Sequence, residues 1–158
     1  MKYSTDNNIS VLDFGCGTGL SGEALYSLGF HQIDGLDLSL EMLKLAKKKG
    51  IYSRLMNDDL NSLVKLDKKY DAIIAAGVIS PEHASPETIN LALSLLNADG
   101  ILVFSINDHA LRNVPFFDKV KAILSNPSLN ILDEEYDDHI IEKGIKAKIF
   151  VIKENCKT

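Results

Sequence analysis

An apolar run that ends in an acidic residue and three alternating glycines constrains this chain more than any other feature. Residues 9–14 form a short hydrophobic run that is typical of a buried strand. Glycines follow Asp13 at positions 15, 17 and 19. Glycine tolerates positive φ and lets a ligand approach the backbone, so this segment predicts a tight turn between a strand and a helix. A helix that begins at such a turn presents free backbone N–H groups to a ligand.

Short apolar runs alternate with amphipathic segments along the rest of the chain. Further strands are predicted at residues 32–38, 53–56, 70–76 and 101–106, and helices at residues 20–28, 40–49, 86–97 and 115–124. This alternation predicts parallel βαβ units with right-handed crossovers. Residues 129–136 and 145–153 form two final strands, and the short loop that joins them requires an antiparallel pair. In the second helix, Met42, Leu45 and Ala46 are expected to share the buried face.

Composition and charge narrow the class of protein. A chain of 158 residues suits one domain over residues 1–158. The two cysteines lie at opposite ends of the sequence, and together with the lack of a signal peptide or a membrane-length apolar run they predict a cytoplasmic protein. The net charge of −5 argues against a nucleic-acid partner. The His and Cys spacing predicts no metal site.

Acidic side chains stand at or near the ends of three predicted strands. They are Asp13, Asp37 and Asp59, with Asp58 as a rival for the third position. Ligands of open α/β sheets bind outside the carboxyl ends of the strands. Because unpaired buried carboxylates are costly, the three together favour a ligand with hydroxyl and amino groups.

These features resemble the class I S-adenosylmethionine-dependent methyltransferases, whose first motif is an acidic residue followed by G-x-G-x-G. The resemblance spans nearly the whole chain, with Asp13, Gly15, Gly17 and Gly19 matching the motif. It implies an α/β fold: a Rossmann-like, doubly wound, mostly parallel seven-strand sheet whose last strand inserts antiparallel beside the fifth. It also implies S-adenosylmethionine as the cofactor.

The resemblance assigns a role to each matching residue. Gly15, Cys16, Gly17 and Gly19 would lie against the methionine part of the cofactor, with Cys16 as a small side chain inside the turn. Asp13 would order this loop and meet the ammonium group directly or through water.

The remaining cofactor contacts come from the ends of later strands. Asp37 would accept hydrogen bonds from both ribose hydroxyls, which suits its bidentate geometry. The adenine would be held by the Asp59 carboxylate and the Leu60 N–H, and be flanked by Leu38 and Met42, with Met42 equally a candidate for the helix core. The floor of the site would be formed by the backbone of Ala75 and Ala76.

Two other functions fit parts of the same sequence. Residues 17–22 also spell G-x-G-x-x-G, and Asp37 follows Gly17 by 20 residues, as in a nicotinamide dinucleotide site. A turn that begins at Gly15 fits the end of the apolar run better and favours the methyltransferase over an oxidoreductase. The other alternative is an S-adenosylmethionine-binding module without activity of its own.

The acceptor side is expected at the loops after the fourth and fifth strands. Glu82, His83, Asn107, Asp108 and His109 lie there, and of these His83, Asn107 and His109 are predicted to contact the substrate. Methyl transfer depends mainly on alignment and a dry pocket, so the lack of a catalytic triad is no objection, and no catalytic residue is assigned.

The segment after the fourth strand also bears on the substrate. It lacks the Asn/Asp-Pro-Pro-aromatic motif of family members that methylate amino groups of nucleic-acid bases or glutamine, which favours a small molecule or a protein side chain. Residues 77–83 and 106–109 resemble the small Williams–Beuren-region methyltransferase-like proteins.

The resemblance implies one or two helices before the first strand, but only eight residues precede Ile9. We therefore expect one of four situations: an open site, a truncated form of the protein, a homodimer, or a partner chain that covers the site. In each case this chain alone is expected to bind the cofactor weakly and to turn over slowly.

Overall fold

The computed structural model describes residues 6–59, 66–140 and 144–155. Within these residues the chain forms seven strands and five helices. The strands are β1 (Val11–Phe14), β2 (Ile33–Asp37), β3 (Arg54–Asn57), β4 (Tyr70–Ala75), β5 (Leu96–Asn107), β6 (Leu129–Ile140) and β7 (Ile145–Glu154). The helices are α1 (Leu20–Ser27), α2 (Leu40–Lys48), α3 (Thr88–Ser94), α4 (Asp108–Arg112) and α5 (Val114–Leu124).

The strands form one sheet in the order β3-β2-β1-β4-β5-β7-β6. Neighbouring strands from β3 to β5 are parallel, and β7 inserts antiparallel between β5 and β6. The predicted α/β fold with a mixed C-terminal edge is therefore confirmed. The order in which strands are added to the sheet reverses between β1 and β4. Because these strands are parallel, the carboxyl ends of β1, β2 and β4 lie at one edge, where α/β sheets bind ligands.

Hydrophobic side chains cover both faces of the sheet. Alternate residues of each strand point to opposite faces, and Leu12 and Ile73 belong to one cluster whereas Val11, Ile33 and Ala72 belong to the other. Both faces of the central strands are thus buried, as a doubly wound sheet requires.

Helix α2 turns a different face to the sheet from the one that the sequence predicted. Leu43 and Ala46 are buried, whereas Met42 and Leu45 are 43% and 47% exposed. The Ser39 hydroxyl accepts the Met42 N–H and caps the helix. With the helix fixed there, residues 43 and 46 lie one turn apart on the inner face, so the prediction was right for Ala46 and wrong for Met42 and Leu45.

Several element boundaries also differ from the sequence prediction. Residues 85–87 form a tight turn, because the Thr88 and Ile89 N–H groups donate to carbonyls only three residues earlier, and α3 begins at Thr88. Residues 98–100, which lie between the predicted helix and the predicted strand, form an irregular part of β5, where Asp99 has a φ of 64°. Helix α4 was not predicted, and β6 extends to Ile140. In the part of the chain that the structure describes, no helix is long and apolar enough to cross a membrane.

Candidate cofactor site

The glycine turn begins directly after β1, as the sequence predicted. The N–H groups of Gly15 and Cys16 both donate to the Leu36 carbonyl oxygen, at 2.8 and 2.9 Å, which ties the turn to the end of β2. Gly15 has a φ of +73°, and a Cβ atom there would lie 2.4 Å from Cγ2 of Val78. Only glycine fits at this point, because both the backbone conformation and the Val78 side chain exclude a larger residue.

Asp37 holds the turn from the neighbouring strand. Its Oδ2 accepts the Gly17 N–H at 2.8 Å, and its Oδ1 accepts the Ser39 N–H at 2.8 Å. A carboxylate has about four lone-pair sites, so each oxygen keeps a position for a further donor. Asp37 therefore fixes the turn and still offers two oxygens side by side to a ligand.

Asp13 supports the same turn from within the protein. It is 1% exposed, and its carboxylate accepts the Ser21 hydroxyl at 2.7 and 2.8 Å and the Tyr52 hydroxyl at 2.6 Å. Burial raises the pKa of Asp13, and the hydrogen bonds from these hydroxyls oppose that shift. This arrangement directs the carboxylate toward Ser21 and Tyr52, and the predicted contact of Asp13 with the cofactor stays a prediction.

Tyr52 is a site-supporting residue that sequence reasoning missed. Its ring and hydroxyl group pack so closely on Gly19 and Gly22 that a Cβ atom at Gly22 would lie 2.2 Å from the hydroxyl oxygen. Tyr52 precedes β3 in a stretch with no motif, so no local signal linked it to Asp13, which lies 39 residues away.

Cys16 and Gly19 complete the turn. The Cys16 side chain is 4% exposed, and burial raises the pKa of its thiol to about 12, so the thiol stays protonated at neutral pH. The Gly19 N–H donates to the Cys16 carbonyl oxygen, and Gly19, with a φ of 90°, forms the N-cap of α1. The turn is therefore closed by backbone bonds, and Cys16 occupies it as a small buried side chain.

A cavity of about 410 Å³ opens between this turn, the β2–α2 loop and the segment after β4. Six of the residues predicted from the sequence line it: Gly15, Gly17, Asp37, Leu38, Met42 and His83. Four further lining residues were not predicted for the cofactor, namely Ser39, Gly77, Val78 and Glu82. Its acidic lining residues are Asp37 and Glu82, and no Lys or Arg is among the described residues that line it.

The other predicted cofactor residues that the structure describes lie outside this lining. Ala75 ends β4 and is 1% exposed, and Ala76 is exposed, while the cavity floor uses Gly77 and Val78 instead. Asp58 and Asp59 follow β3, and the Asp59 N–H donates to the Asp58 carboxylate at 2.8 Å. The predicted contact of Leu60 lies outside the described residues. Each of these remains a prediction for the bound state.

Asn57, at the end of β3, stabilises the loop that carries two cavity residues. Its side-chain amide donates to the carbonyl oxygens of Asp37 and Leu38, at 3.1 and 2.8 Å. Asn57 stands directly opposite Asp37 in the parallel pairing of β2 and β3. The end of β3 could be predicted from the sequence, but the role of Asn57 depends on the register between β2 and β3, which the sequence does not determine.

The predicted acceptor-side residues come together at the ends of β4 and β5. Nε2 of His109 lies 3.0 Å from Oε1 of Glu82, so this pair connects the two segments. A hydrogen bond from its own backbone N–H lowers the pKa of Glu82, and His109 contributes to the same shift. Asn107 accepts the Ala110 N–H at 2.9 Å and caps α4, and His83 lies on the cavity wall. Among the described residues, no cluster of three or more His, Cys, Asp or Glu side chains could hold a metal ion.

The fold and the glycine turn after β1 define a class of protein, the seven-strand α/β methyltransferases. The family model of the methyltransferase domain matches residues 11–100, more than half of the chain, and the chain belongs to this family. The resemblance to class I S-adenosylmethionine-dependent methyltransferases is thereby confirmed, and S-adenosylmethionine is the cofactor of that class.

Similar proteins support the assignment and differ in substrate. The chain is 35% identical over 112 residues to the malonyl-[acyl-carrier protein] O-methyltransferase of Halalkalibacterium halodurans, covering 66% of this chain and 41% of that protein. It is 46% identical over 135 residues to the 18S rRNA (guanine-N(7))-methyltransferase RID2 of Arabidopsis thaliana, covering 85% of this chain and 40% of that protein. The chain thus spans about two fifths of the length of these two relatives.

A solved structure of similar fold is the ribosomal protein L11 methylase of Lactobacillus delbrueckii subsp. bulgaricus. It superimposes with a TM-score of 0.72 at 24% sequence identity, covering 98% of this chain and 74% of that protein. This likeness concerns the fold.

Proposed function

We propose that this chain binds S-adenosylmethionine in the cavity between the glycine turn, Asp37 and Gly77, and transfers its methyl group to a small molecule or a protein side chain. The observation that carries the proposal is the joint arrangement of Gly15, Gly17 and Asp37. The two glycines bring the backbone to the cavity wall. Each Asp37 oxygen accepts one backbone N–H, from Gly17 or Ser39, and keeps a lone pair for a ligand. A ribose with two adjacent hydroxyl groups matches that acceptor geometry.

The charge of the cavity supports a cationic cofactor. S-adenosylmethionine carries a sulfonium and an ammonium group, and the charged lining residues described are Asp37 and Glu82. Opposite charges at short range in a partly desolvated cavity attract each other more strongly than in water. A dinucleotide carries a negative pyrophosphate group, which the carboxylates of Asp37 and Glu82 would repel. Gly22, which the dinucleotide pattern requires, packs against Tyr52 instead.

The residues of the chain act mainly by binding and orientation. When bound, S-adenosylmethionine supplies an activated methyl group, whose bond to sulfur breaks as the bond to the acceptor forms, leaving S-adenosylhomocysteine. Asp37 and the glycine turn would fix the nucleoside and the methionine part, and Leu38 and Met42 would cover the adenine. Such alignment, together with exclusion of water, supplies much of the acceleration in reactions of this kind. Glu82 and His109 stand on the acceptor side, where a proton of a protonated acceptor could leave.

A thermal-shift experiment tests the proposal. Ligand at a hundred times its Kd stabilises the folded state by about 2.7 kcal/mol, which for a domain of this size corresponds to a rise in Tm of about 5–10 °C. We expect that rise with S-adenosylhomocysteine and none with NAD at equal concentration. A rise with NAD alone, or no rise with S-adenosylhomocysteine up to millimolar concentration, would refute the assignment.

A further inference from the structure

A second cavity, of about 520 Å³, adjoins the cofactor cavity, and His83 lines both. It lies between the segment that follows β4 and the beginning of α5. Its volume is in the range of sites that hold small organic molecules. A molecule in this second cavity would therefore lie next to whatever occupies the first.

Part of the wall of the second cavity is apolar and stiff. Pro81, Pro86 and Pro115 line it together with the ring of Phe116. Proline fixes its own φ, so these walls change little when a ligand enters. A flat ring or a short hydrocarbon chain suits such a surface.

The charge in this cavity is opposite to that of the cofactor cavity. Lys119 is the formally charged side chain among its described lining residues, and no Asp or Glu lines it. Phe116 and Lys119 are three residues apart in α5 and so lie on the same face of that helix. Glu87 lies near enough for Lys119 to contribute to the lowering of its pKa, but the main cause is the hydrogen bond from Ser85, and Glu87 itself is not part of the lining.

A buried hydroxyl group lies within the same wall. Ser80 lines the cavity and is 2% exposed. Its Oγ makes no hydrogen bond of good geometry within the described residues, although it lies close enough to Glu82 to help lower the pKa of that carboxyl.

We propose that this second cavity binds the methyl acceptor, and that the acceptor is a small organic anion: a carboxylate carried on a ring or a short apolar chain. The apolar part lies against the prolines and Phe116, and the carboxylate lies at Lys119. The role as acceptor rests on the proposed function, whereas the binding of the anion does not.

A titration with three matched probes tests the proposal. Phenylacetate, phenylacetamide and phenethylamine share one ring and differ in charge, and their Kd values can be measured by NMR from the signals of His83 and Phe116, with S-adenosylhomocysteine present. We expect phenylacetate to bind about fivefold more tightly than phenylacetamide, as for one partly exposed charge pair, and phenethylamine to bind most weakly.

Variants of two neighbouring lysines locate the charge. Lys119→Met should remove the preference for phenylacetate, and Lys119→Arg should keep it. Lys121→Met is the matched control, because Lys121 pairs with Asp118 at 2.7 Å and does not line the cavity. The control should keep the preference.

The outcomes separate this proposal from the proposed function. Equal affinity for the three probes, or a preference that survives Lys119→Met, would overturn the anion site even when S-adenosylhomocysteine binds. Failure of S-adenosylhomocysteine to bind would refute the proposed function, while a Lys119-dependent preference for phenylacetate would still establish the anion site.

Discussion

Replacing Gly15 by alanine should destabilise the fold in two separable ways. The first is conformational, because a residue other than glycine at a φ of +73° costs about 1–2 kcal/mol. The second is steric, because the new Cβ would lie 2.4 Å from Cγ2 of Val78, and such overpacking costs about 1–3 kcal/mol. The free energy of unfolding should therefore fall by about 2–5 kcal/mol in Gly15→Ala.

Gly17 provides the matched control for the conformational part. It also has positive φ, at +53°, but a Cβ there would meet no atom within 4 Å. Gly17→Ala should therefore cost about 1–2 kcal/mol, from the backbone alone.

Urea denaturation of a double-mutant cycle separates the steric part. Val78→Ala removes the two methyl groups nearest to the new Cβ, so Gly15→Ala should cost less in the Val78→Ala background, by about 1–3 kcal/mol. Equal costs for Gly15→Ala and Gly17→Ala, or no coupling between residues 15 and 78, would show that Val78 does not enforce glycine at this point.

Two further substitutions test the carboxylates of the site. Asp37→Ala should weaken binding of S-adenosylhomocysteine about 10–100-fold in calorimetry, because the contacts to the ribose and to the turn are both lost. The control Glu41→Ala changes an exposed carboxylate and should leave the affinity nearly unchanged. Equal affinities of Asp37→Ala and the unmodified protein would exclude Asp37 from the site. Tyr52→Phe removes the hydroxyl donor to Asp13 and should lower the free energy of unfolding by about 1–3 kcal/mol at pH 7. Because the pKa of Asp13 is raised, the folded state takes up a proton more readily than the unfolded state, so protonation favours folding and that gain is lost as pH rises through the raised pKa. The Tyr52 hydroxyl stabilises the ionised form of Asp13, because its hydrogen bond lowers the pKa of that carboxyl. The cost of Tyr52→Phe should therefore be smaller at pH 4.5, where more of Asp13 is protonated, than at pH 7. An equal or larger cost at pH 4.5 would contradict this role of the hydroxyl.

The positions of the strands along the chain and much of the cofactor cavity could be predicted from the sequence, because both depend on local signals. The glycines at positions 15, 17 and 19 require positive φ within the turn itself, and the end of β2 places Asp37 beside it. The antiparallel insertion of β7 followed from family resemblance, since periodicity does not determine which neighbour a strand chooses.

The remaining features depend on contacts between distant parts of the chain. Tyr52 bonds to Asp13 across 39 residues, and the pairing of Glu82 with His109 joins segments after two different strands. The face that α2 buries depends on how its cap positions the helix against the sheet, which explains the error at Met42. The sequence left Met42 equally a candidate for the core and for the adenine contact, and its exposed side chain lines the cavity.

The most direct test of the central claim is a backbone-amide NMR titration with S-adenosylhomocysteine. The largest chemical-shift changes should fall on Gly15, Gly17, Leu38 and Gly77, which line the cofactor cavity. Amides of the groove between α2 and β3, such as that of Arg54, should change little. Largest shifts in that groove, or no shifts at saturating ligand, would contradict the account.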